Sequence, residues 1–359
     1  METQKEKGNT MKRNTFSTRA ALTATGMAAA LVLASCGGDD SGNGNGEDNG
    51  GDAEGSDLSI TFIPTDLGNP YFEASNTGAG EATEEFGASL SIVGPQEATP
   101  DAQVEHINTA AQQGEDAIAI AANDVSAVCG ALNEAREVGI PVVTYDSDTD
   151  PDCRDLFVNQ ASAEGIARGQ LELVSDQIGG EGRIAILSAT ANSPNQNQWI
   201  ALMEEELEAN YPEIELVDIV YGDDDDQRSF DQTAALLQSH SDLDAIVSPT
   251  TVGIAAASRY IADSPYAGEI VITGLGTPNQ MREYVESGVV EAFALWNPED
   301  LGYLAAWAAY AVATGEIDGE EGDTFEAGRL GEYTVGADGE ILLGDPFVFD
   351  ADNIDDFDF

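Results

Sequence analysis

Short apolar runs alternate with longer amphipathic stretches along most of this chain. Residues 58–63 (LSITFI) read as a strand, and Gly68-Asn69-Pro70-Tyr71-Phe72 turns it into a helix reaching Phe86, with Pro suited to the first helical turn. Strand 90–93, helix 101–113, strand 117–121, helix 125–138 and strand 142–145 follow. A strand–helix unit recurring every ~28 residues predicts an α/β fold with a parallel sheet between helices. After Gln160 the alternation starts afresh, with a helix to Ile178 and strand 183–188. Helix 195–209, strand 214–221, helix 229–239, strand 245–247, helix 252–262 and strand 270–273 come next. Helix 278–287, strand 290–295 and helix 298–314 complete the series. Two runs of similar size predict two similar Rossmann-like lobes with parallel sheets.

Strand 142–145 stops abruptly on Asp146 and Asp148. Ligands of parallel α/β sheets sit beyond the carboxyl ends of the strands, so both carboxylates are placed to accept hydrogen bonds from a polar ligand. Asp-Ser-Asp also suits a solvated turn, and the local pattern alone leaves both readings open.

Length permits about two domains. Charge changes the picture further: 67 acidic residues stand against 13 basic ones, for a formal net charge of −54. All three lysines (Lys5, Lys7, Lys12) and two arginines (Arg13, Arg19) precede Cys36, so beyond it 8 arginines face 65 acids. Such a body repels nucleic acid and anionic lipid, and suits high salt, where screening quenches self-repulsion. The acids lack the ligand spacing of an EF-hand-type loop, and Asp223 to Asp226 reads as a solvated loop rather than a metal site. Neither GxxxxGK[ST] nor a strand-linked GxGxxG occurs, and no Cys/His cluster has zinc spacing. His106 and His240 fall in or beside helices with no paired acid or base. No cofactor, metal, catalytic residue or enzymatic activity is expected.

The amino terminus reads as a targeting segment. Lys12-Arg13 precedes an apolar run at 20–33, too short to span a bilayer comfortably, that ends in Leu33-Ala34-Ser35-Cys36. That tetrad resembles the lipobox of bacterial lipoproteins, which implies acylation of Cys36. Residues 1–36 would then be a lipoprotein signal peptide, with Met11 as an alternative start. Residues 37–56, rich in Gly, Asn and Asp, are expected to form a disordered acidic tether. Cys129 and Cys153 are the thiols beyond it. An exported body favours pairing them, with two separate buried thiols as the other reading.

Taken in order, several short runs resemble the type I periplasmic sugar-binding proteins of ABC importers from Leu58 to Phe359. Asn69-Pro70-Tyr71-Phe72 is similar to that family's Asn-Pro-aromatic-Phe turn. Tyr145-Asp146-Ser147-Asp148, Pro151-Asp152-Cys153-Arg154, Val158-Asn159-Gln160 and Asn195-Gln196-Asn197-Gln198-Trp199 resemble its rhamnose-binding and autoinducer-2-binding branch. So do Ser241 to Ala245, Thr277-Pro278-Asn279 and the run from Ala294 to Tyr303, the last leaning to the rhamnose side. An autoinducer-2 pocket of that branch carries a Lys, an Asp, an Asp-Gln pair and Pro-x-Ala. The matching positions here hold Thr65, Asp146, Asn195-Gln196 and Pro249 with Thr251. The departures at Thr65, Asn195 and Thr251 point towards a neutral sugar.

The resemblance implies lobes of 57–160 plus 297–335 and 161–296 plus 336–359, joined by crossings near Gln160, Trp296 and residues 331–336. It implies a ligand site drawn from Asn69, Tyr71, Phe72, Asp146, Asp148, Asn195, Gln196, Pro249, Thr251, Leu275, Trp296 and Asn297. Carboxylates accept, amides do both, and aromatic rings cover C–H faces. Leu275, Pro249 and Trp199 are candidates for the wall against a deoxysugar methyl, while Trp199 and Phe72 suit core packing equally. The expected protein is a monomeric substrate-binding subunit, extracytoplasmic and held at the cell membrane by a lipid anchor on Cys36. It would bind rhamnose or a similar deoxyhexose and deliver it to a permease and its ATPase, with no nucleic-acid partner. Autoinducer-2 or another small polyol is the alternative ligand, and a ligand-sensing partnership with a membrane receptor the alternative role.

Overall fold

The computed structural model describes residues 58–359, so the expected signal peptide, the expected tether and Cys36 lie outside the described residues. The first half of the body carries β1 (Ser59–Ile63), α1 (Pro70–Phe86), β2 (Ser89–Ile92), α2 (Pro100–Gln113) and β3 (Ala117–Ile120). It continues with α3 (Cys129–Glu137), β4 (Val142–Tyr145) and β5 (Leu156–Asn159). These strands lie in the order β2-β1-β3-β4-β5, and every neighbouring pair is parallel. AIAI of β3 and VVTY of β4 are buried throughout, because helices cover both faces of a parallel sheet. That double burial is why they read as continuous apolar runs instead of alternating ones.

The second half repeats the plan. It runs α4 (Ala163–Ile178), β6 (Gly182–Ser188), α5 (Pro194–Asn210), β7 (Ile214–Tyr221), α6 (Asp226–Ser239) and β8 (Ala245–Ser248). Then come α7 (Thr251–Ala262), β9 (Val271–Gly274), α8 (Pro278–Glu286) and β10 (Ala292–Leu295). The parallel order is β7-β6-β8-β9, and a single Leu275–Ala294 bridge adds β10 beside β9. Each lobe therefore has the doubly wound 2-1-3-4-5 order, whose ligand crevice lies outside the strand carboxyl ends.

Helix α9 (Pro298–Thr314) then returns to the first lobe and packs along α1. It is apolar on nearly every side, as a helix enclosed in a core must be. The two backbones touch: a Cβ at Gly78 would lie 1.8 Å from Glu299 O, and one at Gly302 would lie 1.8 Å from Ser75 O. Only glycine fits either crossing point.

Strands β11 (Thr324–Glu326) and β12 (Glu332–Thr334) form an antiparallel pair after α9. β13 (Glu340–Leu342) adds to the first sheet parallel to β5, and β14 (Phe347–Asp350) runs antiparallel to β10. This corrects the expected lobe boundary. Residues 336–342 belong to the first lobe, and the third crossing lies between Leu342 and Phe347 instead of at 331–336. Three residues with one buried apolar position, Ile341, carry no readable periodicity.

Two smaller differences follow from local capping and length. Helix α3 starts at Cys129, not at 125, because the Asp124 carboxylate accepts from the backbone N–H groups of Ser126 (2.9 Å) and Ala127 (2.8 Å) in a turn. β5 is only four residues long and was not foreseen as a strand. Cys129 and Cys153 form a disulfide with Cα atoms 5.2 Å apart, tying α3 to the chain after β4.

Candidate functional site

The carboxyl ends of both sheets face one cavity. From the first lobe, the turn after β1 supplies Thr65, Asn69, Tyr71 and Phe72, and the end of β4 supplies Asp146 and Ser147. From the second lobe, Ser193, Asn195, Gln196 and Trp199 come from the start of α5, and Asp224 from the β7–α6 loop. Thr250 and Thr251 follow β8, Leu275 follows β9, and Leu295 with Trp296 end β10 at a crossing between lobes.

Asn69 is held in place as the N-cap of α1, its Oδ1 accepting from Tyr71 N at 3.1 Å. That cap aims Tyr71 at Asp146. The Tyr71 hydroxyl donates to Asp146 Oδ1 (2.7 Å) and accepts from Trp296 Nε1 (2.8 Å). Across the cleft Asn195 Nδ2 donates to Asp146 Oδ2 at 3.1 Å. A hydrogen-bond chain thus runs from the crossing, through the first lobe, to the second. Tyr71 also meets Phe72 and Trp296 edge-on, at centroid separations of 5.0 and 6.2 Å, and Trp199 meets Trp296 at 6.1 Å. The rings make an apolar wall beside the polar chain.

Both amides of the second lobe have a fixed orientation. Asn195 Oδ1 accepts from Gln196 N (2.7 Å) and Ser193 Oγ (3.1 Å), which leaves its NH2 for the cleft. Gln196 Oε1 accepts from Ser188 Oγ (2.7 Å) and Ala189 N (2.9 Å), which likewise commits its Nε2 as a donor. The second lobe offers amide donors to the acceptor carboxylate of the first.

The electrostatics match that division. Burial, chiefly, pushes the Asp146 carboxyl up to about 7, with repulsion from Asp224 adding to it and hydrogen bonds from Tyr71 and Asn195 opposing it. Asp224 is pushed to about 6, again chiefly by burial, with Asp66 and Asp223 adding and the Thr250 hydroxyl opposing. Asp66 beside Thr65 is also raised by burial, against hydrogen bonds from Thr65 and Asn69. No Lys, Arg or His is among the residues lining the cavity. A neutral, donor-rich ligand fits such a surface, whereas an anion meets uncompensated negative charge.

A sequence profile of the periplasmic binding protein domain matches residues 60–317. The chain belongs to the type I periplasmic binding proteins of sugar ABC importers. Members of this family are extracytoplasmic proteins that bind a monosaccharide and pass it to a permease; they are not enzymes. The chain is 52% identical to a sugar ABC transporter protein from Actinomyces odontolyticus, covering 85% of this chain and 99% of that one at a TM-score of 0.70. A solute-binding protein from Clostridium phytofermentas with bound L-rhamnose is 38% identical over 84% of this chain and 98% of its own, at a TM-score of 0.81. LsrB from Clostridium saccharobutylicum, in complex with AI-2, is 26% identical over 84% and 100% of the two chains, also at 0.81.

Within this binding protein, nine of the residues expected at the site line the cavity: Asn69, Tyr71, Phe72, Asp146, Asn195, Gln196, Thr251, Leu275 and Trp296. Three expected contacts do not reach it. Asp148 is clasped by Arg154, whose Nε and Nη2 each donate at 2.7 Å, and also accepts from Thr144 Oγ1 at 2.5 Å. Asn297 spends its Oδ1 capping α9, accepting from Glu299 N at 2.9 Å. Pro249 precedes the two threonines that line the wall and is not itself part of it, so the apolar wall is Leu275, Leu295 and Trp199.

Five lining residues stand outside the expected set: Ser147, Ser193, Asp224, Thr250 and Leu295. Asp224, placed in a solvated acidic loop, enters the cavity wall and accepts from Thr250 Oγ1 at 2.6 Å. Its position three residues past a parallel strand was the available signal, masked by the acids on either side. The two histidines stay away from the cavity, His106 in α2 and His240 at the end of α6, with His240 Nε2 3.2 Å from Asp218.

Proposed function

We propose that this chain is the lipid-anchored, monomeric substrate-binding subunit of a sugar importer, and that its ligand is L-rhamnose or a closely related 6-deoxyhexose. The observation that carries the reading is the opposition of the buried Asp146 acceptor to the fixed amide donors of Asn195 and Gln196, beside a ring wall. A pyranose hydroxyl both donates and accepts, so it can insert between those walls and take over their hydrogen bonds. The methyl of a 6-deoxyhexose fits the apolar side made by Leu275, Leu295 and Trp199. Thr65 leaves the first turn without a cation, which favours a neutral ring. Similarity to a rhamnose-bound protein at 38% identity supports the same choice.

The open space between the walls is about 50 Å³, and their polar groups already bond to one another. Entry of a pyranose therefore requires the lobes to part, and closure over it buries the sugar and presents the joined lobe surfaces to the permease. Cys36, if acylated, would hold the body at the membrane, and the acidic surface suits a saline habitat.

A thermal-shift panel in molar salt tests the ligand. L-rhamnose is expected to raise the unfolding midpoint more than ribose, xylose or galactose, because tight binding stabilises the native state by mass action. Asp146→Ala is expected to remove the shift and weaken binding ~100-fold, the loss of a charge-assisted hydrogen bond with partners left unpaired. Autoinducer-2 is the second reading, favoured by the similarity to the AI-2 complex. A shift with the autoinducer and none with rhamnose would replace the first reading by the second.

A further inference from the structure

The two carboxylates of the cavity are placed alike. Asp146 follows β4 and Asp224 follows β7, so each lobe sends one acid from a strand carboxyl end into the same space. Both have left-handed backbones, with φ of 61° and 50°. Non-glycine residues adopt that conformation at a cost and mostly where surrounding structure enforces it. Thr250 Oγ1 fixes Asp224 Oδ1 at 2.6 Å, while Oδ2 takes no hydrogen bond from the described residues. Arg228, in the first turn of α6, is paired with Asp223, and Asp66 of the first lobe sets its charge against Asp224. Asp224 is thus an oriented acceptor with one free oxygen and no cationic partner.

We propose that Asp224 is a second ligand-reading carboxylate of this site, which accepts from a sugar hydroxyl and excludes sugars that carry a carboxylate. The proposal rests on the sugar-binding reading above and adds a specificity residue to it. A neutral ring can donate to Oδ2 at no charge cost. A uronate brings a third negative charge beside Asp146 and Asp224, where no cation lines the cavity to offset the repulsion.

Calorimetry in constant salt decides the matter, with L-rhamnose, D-ribose, D-arabinose and D-galacturonate titrated into the wild type, Asp224→Asn, Asp224→Ala and Asp146→Ala. For whichever neutral sugar the wild type binds, Asp224→Asn is expected to weaken binding roughly tenfold, the loss of a hydrogen bond to a charged acceptor. It should also narrow the preference for that sugar over galacturonate by at least a similar factor. Thr250→Val, which frees Asp224 without altering its charge, should cost about threefold and leave the galacturonate preference intact. This variant carries the test if the Asp224 variants do not fold by circular dichroism. Unchanged affinity and unchanged preference in Asp224→Asn, with binding abolished in Asp146→Ala, would overturn the role of Asp224 and leave the site standing. Failure of the wild type to bind any of the neutral sugars would remove both.

Discussion

The two lobes share a strand order but are finished differently. In the first, six strands form one parallel sheet, closed by β13 from the far end of the chain. In the second, four parallel strands stop at β9, and a single bridge connects them to the antiparallel β10–β14 pair. The first lobe is also reinforced by the α1–α9 backbone contact, the Cys129–Cys153 disulfide and the buried Arg154–Asp148 pair. None of those reinforcements touches the cavity. The second lobe places its site residues instead on the first turns of helices and on loops, through amide side chains locked by their own backbone neighbours. One side is thus an acceptor wall braced by the rest of its lobe, and the other a wall of amide donors fixed only by their local neighbours. Closure then depends on few groups meeting, Asn195 with Asp146 foremost.

Asp148→Ala should break the first lobe most severely. It leaves the Arg154 guanidinium, whose side chain is only 3% exposed, with the Asp338 carbonyl as its remaining hydrogen-bond acceptor, and loss of a partner from such a pair costs about 3–5 kcal/mol. Chemical denaturation should show that loss, while calorimetry finds sugar affinity within about twofold of the wild type, the reverse of the pattern expected for Asp146→Ala. A reduced affinity would mean that the wall itself depends on Asp148. Next in size, Gly302→Ala forces a methyl into Ser75 O and should cost about 1–3 kcal/mol, read as a lower unfolding midpoint. The same change at Gly169, where a Cβ meets nothing within 4 Å, should leave stability unchanged or slightly raised.

The pH response tests the acceptor wall directly. Asp146 titrates near 7 when folded and near 4 when unfolded, so the folded state holds its proton more firmly. Stability of the ligand-free protein should therefore fall as pH rises from about 4 to about 7 and level off above it. Sugar binding should do the opposite, because an accepting carboxylate must be ionised. Affinity is expected to drop by up to about tenfold per unit below pH 7, with proton release visible in buffers of different ionisation heat. A flat affinity between pH 5.5 and 8 would show that Asp146 binds in its protonated form.

Much of this architecture was legible because burial on both faces of a parallel sheet leaves short, uninterrupted apolar runs, as at 117–121. Asn69 before Pro70 announced a helix start, and that cap is what aims Tyr71. Late strands were hidden: β13 and β14 are short pieces whose partners lie nearly two hundred residues earlier or some fifty residues before them, and no local pattern encodes a partner.

The pair Asp146 and Asp148 shows where local reading ends. Both follow the same strand, yet one enters the cavity and the other is taken by Arg154, six residues on. The sequence by itself determined the α/β alternation, the doubled lobe, the acidic surface and the presence of carboxylates at a strand end. Only the tertiary structure decided which carboxylates face the ligand space, because that depends on backbone turn and on partners brought from elsewhere. The left-handed turn at Asp146, Arg154 beside Asp148 and Thr250 beside Asp224 made that choice.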